Sequence, residues 1–198
     1  MRYDNHNHTR YSNIRLRDAL PTPEALIDKA IELGLAGISI SEHECVSSHV
    51  KANKYYQEKI KEKYPNFKIG LGNEIYLTEN RELGQKYYHF ILIAKDAIGH
   101  KALRELSSTA WYNSYTDRGM ERVPTTKKEL STIMSKYHGH VIATTACIGG
   151  ELSSNALLMA EASAAGAEKD AMVYYNNMLD FLNYCVGVFG DDFYIECA

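Results

Sequence analysis

The chain has 198 residues, of which 45% are apolar and 24% charged, with a formal net charge of −3. That length suits one substantial core and a single domain. No run approaches the roughly 18 apolar residues of a membrane span, and the negative balance argues against holding nucleic acid by non-specific charge. The start has no apolar leader core, and Cys45, Cys147, Cys185 and Cys197 show no close pairing, so a reducing, cytoplasmic setting is expected, with no membrane partner.

In chain order, Met1 to Asn5 reads as a strand ending at His6-Asn7-His8. Thr22 and Pro23 fit an N-cap and a first helical proline, and an apolar stripe from Ala25 to Leu33 ends at Gly34. Ala36 to Ser41 reads as a buried strand, His49 to Tyr64 as an amphipathic helix stopped by Pro65, and Phe67 to Leu71 as the next strand. Ile75 to Leu77 and Tyr87 to Ala94 suggest an antiparallel hairpin placing His89 roughly opposite Ile75 and near Glu74. A helix over Ala97 to Tyr112, a polar loop over Ser114 to Thr125 and a capping box at Thr126 to Glu129 follow. His140 to Thr145 reads as a strand, Glu151 to Ala165 and Glu168 to Phe189 as helices, and Phe193 to Cys197 as a last strand. The alternation predicts an α/β fold with a largely parallel sheet, open or closed into a barrel, whose sites form at the carboxyl ends of strands.

At that edge fall His6, His8, Ser41-Glu42-His43, Gly72-Asn73-Glu74, His89 and Cys147. An HxH pair at a strand end sends both rings to one face, and a buried cluster of such groups without a cation leaves costly unpaired polar atoms. His, Glu and Cys together suit zinc, manganese or iron. Cys147 reads equally as a ligand or as a small buried hydrophobe. Glu42 alternates with His43 and is expected to orient an imidazole rather than bind metal. Asp18 lies in the loop after the first strand, as a ligand or a solvated carboxylate. Arg10, Arg15 and Arg17 share that loop and fit either a phosphate grip or a plain basic surface. His49 and His100 are expected to be solvated on helices, and His138 and His140 to lie away from the site. Two or three divalent cations suit phosphoester hydrolysis by a metal-generated hydroxide, with no side chain singled out as catalytic. There is no P-loop and no GxSxG elbow.

His6-Asn7-His8-Thr9-Arg10-Tyr11-Ser12, Ser41-Glu42-His43, Gly72-Asn73-Glu74 and Tyr88 to Ala94 resemble the polymerase-and-histidinol-phosphatase (PHP) domain. Gly99 to Ser108, Ala143 to Glu151 and Asp192 to Glu196 narrow the resemblance to the N-terminal PHP domain of the DNA polymerase III alpha subunit, bacterial or phage. It implies a distorted (βα)7 barrel with up to three metals on His6, His8, Asp18, His43, Glu74, His89 and Cys147. It also implies hydrolysis of phosphodiesters at a DNA 3′ end, of the proofreading exonuclease type. Glu42 stands where the family usually has Asp, and the loop from Asn13 to Pro21 is longer than usual. The family's late Asp-x-His pair is absent before Ala198, so residues 1 to 198 are expected to be a single, C-terminally incomplete domain lacking its last strands. Polymerisation would reside elsewhere, and the remainder of the alpha subunit would be a partner. Two alternatives remain: a non-catalytic module docking a proofreading exonuclease subunit, and a stand-alone phosphatase acting on a small phosphoester.

Overall fold

The computed structural model describes residues 2–14, 17–82 and 84–197. Strands β1 (Tyr3–Asn7), β2 (Gly37–His43), β3 (Lys68–Thr78), β4 (Tyr88–Ala94), β8 (Val141–Thr144) and β9 (Phe193–Tyr194) form one curled sheet in the order β1-β2-β3-β4-β8-β9, and β7 (Pro124–Thr126) adds to β3. Of these, β4 alone runs antiparallel to its neighbours. The fold is α/β, with the sheet curled into a partial, distorted barrel. Every residue of β2 is buried, as expected for a strand covered on both faces.

Three of the helices begin at side-chain caps. Thr22 Oγ1 accepts from the Ala25 N–H at 3.2 Å to open α1 (Pro23–Glu32). Thr126 and Glu129 close a reciprocal capping box on α4 (Lys127–Lys136). Asp96 caps α3 (Ala97–Tyr112) through the Ile98 and Gly99 N–H groups. One core joins β3, β4, α3, α4 and α6 (Glu168–Phe189) through Leu77, Phe90, Leu103, Leu130 and Phe181, and a second joins α1, β2 and α2 (His49–Tyr55) through Ile27, Ile40 and Ala52. Helix α5 (Glu151–Ala164) lies against α6. Among the described residues no helix is long and apolar enough to cross a membrane.

Several expectations need correction. The segments around Phe67 to Leu71 and Ile75 to Leu77 are one 11-residue strand, β3, because the Gly72-Asn73-Glu74 stretch stays paired with β2. In the β3–β4 ladder His89 pairs with Tyr76 and Ile75 with Phe90. The pairing is one residue from the expected one, and it puts His89 on the same face as Glu74, near which it is expected to lie. The loop after α3 contains a small hairpin, β5 (Tyr115–Asp117) with β6 (Met120–Arg122). The lysine-rich helix changes to a π-helical turn over Tyr56–Ile60 and ends there rather than at Tyr64. The last strand is two residues long, Phe193–Tyr194.

Candidate metal centre

One edge of the sheet collects the ligand-type residues. His6 and His8 come from the end of β1, His43 from the end of β2, and Glu74 from β3, where its Cα pairs with that of His43. His89 is the second residue of the reversed strand β4, and Cys147 follows β8. Its loop is tied back by the His89 N–H donating to Gly149 O at 3.0 Å.

Glu74 is the centre, 1% exposed. Its Oε2 lies 2.5 Å from His43 Nδ1 and 3.7 Å from His8 Nε2, and its Oε1 lies 2.8 Å from His89 Nδ1 and 3.2 Å from His6 Nε2. His6 Nε2 and His8 Nε2 are 3.0 Å apart, and Cys147 Sγ is 3.4 Å from His89 Nδ1. Ligand atoms therefore gather in two groups that share Glu74: His6, His8 and Glu74, and Glu74, His89 and Cys147. Asp18 Oδ2 reaches His43 Nε2 at 3.1 Å from the solvent side.

The donor set fits a divalent cation on a structural ground. The distances from Glu74 to His43, His89 and His6 are those of hydrogen bonds and that to His8 is longer, but the alignment is not that of hydrogen bonds, and both buried carboxylate oxygens lack an aligned donor. An uncompensated buried carboxylate costs several kcal/mol, which a cation among these nitrogen, oxygen and sulfur atoms removes. The carboxylate is held ionised: burial raises its pKa, but His43, His6 and His89 outweigh burial and bring it far below the carboxylate range. Burial and the neighbouring His43 push His8 down to about 4, leaving a neutral imidazole near pH 7. In His6 and His43 burial also lowers the pKa, but Glu74 reverses the direction to a net rise.

Glu42 lies one residue away from the ligand-type rings, bonded to the segment that follows His8. Fully buried, it accepts from the Thr9 N–H (3.0 Å), Thr9 Oγ1 (2.5 Å) and Ser12 Oγ (2.5 Å). Ser12 Oγ also accepts from the His43 N–H at 3.1 Å and lies 3.2 Å from His8 Nδ1. Because the one hydroxyl proton of Ser12 goes to Glu42, His8 Nδ1 must donate, which leaves a lone pair on Nε2 facing Glu74. Sequence reasoning missed Thr9 and Ser12. Their place in the segment that follows HxH was the available signal.

The other expectations divide. Arg10 and Arg17 are exposed, Arg10 lying 6.0 Å over the Tyr11 ring, and Arg15 lies outside the described residues. Cys45 and Cys185 are buried, and Cys197 is exposed. His138 is exposed, and His140 bonds Asp96 at 2.7 Å, away from the cluster. His49 is not solvated: it is 1% exposed, because its helix turns this face onto β3, where Nε2 donates to Gly72 O at 2.9 Å. Its Nδ1 meets His100 Nε2 at 3.0 Å, so His100 is half-buried and partnered as well.

A family model described as the PHP domain matches residues 4–198. The DNA-directed DNA polymerase of Bacillus phage SPbeta is 39% identical over 202 residues, covering 96% of this chain and 16% of that protein. The DNA polymerase III subunit alpha of Borreliella burgdorferi is 30% identical over 198 residues, covering 96% of this chain and 15% of that one. The chain thus spans about a sixth of these relatives' length. Among solved structures, a protein from Bifidobacterium adolescentis described as a metal-dependent phosphoesterase superposes with a TM-score of 0.45 at 15% identity, over 72% of this chain and 66% of its own. With the family model matching almost every residue, the chain belongs to the PHP domain family.

Proposed function

We propose that this chain is the PHP domain of a replicative DNA polymerase of the alpha-subunit type, acting in the cytoplasm, and that its cluster binds divalent cations and hydrolyses phosphodiesters at a DNA 3′ end. The observation that carries this reading is Glu74, a buried carboxylate shared by two ligand groups and lacking an aligned donor on either oxygen. His6, His8, His43, His89, Cys147 and Asp18 complete the ligand set for two or three ions of zinc, manganese or iron. Bound there, such ions supply Lewis acidity, acidify the attacking water and stabilise the leaving oxygen.

The chain's own residues do the rest. Glu74 joins the two groups, Ser12 fixes the His8 tautomer, and the Tyr76 hydroxyl, 3.2 Å from His43 Nδ1, helps set that ring's plane. Asp18, with its side chain 51% exposed, is placed to close over His43 from solvent. Arg10, Arg15 and Arg17 on the same loop are the candidates to grip a phosphate of the DNA end. Polymerisation, and any contact with a proofreading subunit, belong to the longer protein of which residues 1–198 form one domain.

The test is release of mononucleotides from 3′-labelled single-stranded DNA by the chain loaded with manganese or zinc. The reading expects release that Glu74→Gln abolishes. Turnover of a small phosphomonoester with no action on DNA overturns it in favour of a phosphatase. A metal-loaded protein that cleaves neither substrate overturns it in favour of a structural module.

A further inference from the structure

Strand β9 brings the site a carboxylate outside the ligand set. The Glu196 backbone N–H donates to Thr145 Oγ1 at 3.0 Å, and its Oε2 accepts from Thr144 Oγ1 at 2.7 Å. Both threonines sit at the end of β8, so the residue is anchored at two points. Its other oxygen, Oε1, stands 3.9 Å from His6 Nδ1, with the two side chains 17% and 14% exposed. The opposite nitrogen of that ring, Nε2, faces Glu74 Oε1 at 3.2 Å and His8 Nε2 at 3.0 Å.

We infer that Glu196 is a positioning residue for His6: its Oε1 holds the proton on Nδ1 and so keeps the Nε2 lone pair turned toward Glu74. This rests on the metal-centre reading above. A neutral imidazole carries its proton on one nitrogen or the other, and the group beside the outer nitrogen decides which. At 3.9 Å the contact is longer than a hydrogen bond, and the carboxylate acts by its field or through one bridging water. A direct ligand role does not fit, because Glu196 stands on the Nδ1 side of the ring while Glu74 and His8 stand on the Nε2 side. The arrangement repeats the logic at His8, whose outer nitrogen is set by Ser12. The two rings of the HxH pair are thereby oriented from opposite ends of the sequence, one by the loop after β1 and the other by the segment after β9.

The experiment uses the 198-residue protein and its Glu196→Ala and Glu196→Gln variants. Nitrogen-15 NMR of the histidines in the zinc-loaded protein reads the His6 Nδ1–H and its exchange with solvent, and zinc titration against a chromophoric chelator reads affinity. The inference expects a slowly exchanging Nδ1–H in the wild type and a faster one in Glu196→Ala, with zinc affinity lower by about 10- to 100-fold. Glu196→Gln, whose amide oxygen accepts the same proton, recovers most of both. An unchanged Nδ1–H exchange and affinity in Glu196→Ala overturns the inference, as does a Glu196→Gln variant as defective as Glu196→Ala. A wild type that takes up no zinc overturns the metal-centre reading and this inference with it, whereas zinc held equally by the wild type and Glu196→Ala overturns the inference alone. Thermal melting in chelator shows whether each variant is folded.

Discussion

His49 gives a test of the fold around the site that needs no metal. Its ring is 1% exposed, Nε2 donates to Gly72 O two residues before Glu74, and Nδ1 accepts from His100. Burial, partly offset by the Gly72 carbonyl and reinforced by His100, pushes its pKa down from 6.5 to about 4. The unfolded chain therefore takes a proton below 6.5 that the native protein refuses until about 4. The neutral ring's contribution to stability is fully present above 6.5 and is lost as pH falls through the window from 6.5 to 4. At one and a half pH units below the unfolded value the loss is about 2 kcal/mol, rising to about 3 kcal/mol at the lower end of the window. His49→Gln keeps an N–H able to reach the Gly72 carbonyl and cannot titrate in this range. Urea unfolding of both proteins in chelator, near pH 7.5 and near pH 5, should show the wild type losing about 2 kcal/mol more than the variant. Parallel losses would refute the reasoning.

Other substitutions address the cluster itself. Ser12→Ala removes one of the donors to buried Glu42 and the partner of His8 Nδ1; calorimetry should show a stability loss of about 1–3 kcal/mol, and a chelator competition a loss of zinc affinity of about 10- to 100-fold. Cys147→Ser should abolish the thiolate charge-transfer band of the cobalt-substituted protein while leaving its fold unchanged by circular dichroism; a persisting band would remove Cys147 from the ligand set. In Gly149→Ala the new Cβ would stand 3.0 Å from His89 Nδ1, so the ring must give way by a few tenths of an ångström. Zinc competition should show weakened binding, and wild-type affinity would mean that His89 contributes little.

Much of this architecture is local and was legible in the chain. The Thr22 cap, the Thr126–Glu129 box and the glycine after α1 are set by residues within a turn of one another. The ligand types are legible too, because each sits at the edge of a strand with strong apolar patterning. What the residues alone did not reveal is non-local. His89 faces Glu74 through a register fixed by the connection between β3 and β4, which periodicity alone leaves uncertain by one residue. The Glu42 clamp joins residues 30 and 33 positions apart, and Glu196 reaches His6 only because β9 pairs with β8. His49 looked solvated because a short, lysine-rich helix gives a weak apolar stripe, and its burial depends on which face lands on β3.

The central claim is that Glu74 organises a cation site, and elemental analysis of the chain purified without chelator tests it most directly. The account predicts bound zinc, manganese or iron in the wild type and its loss from a His8→Ala, Glu74→Ala double variant that remains folded. A folded wild type with no metal, or a double variant that keeps the same metal content, would contradict it.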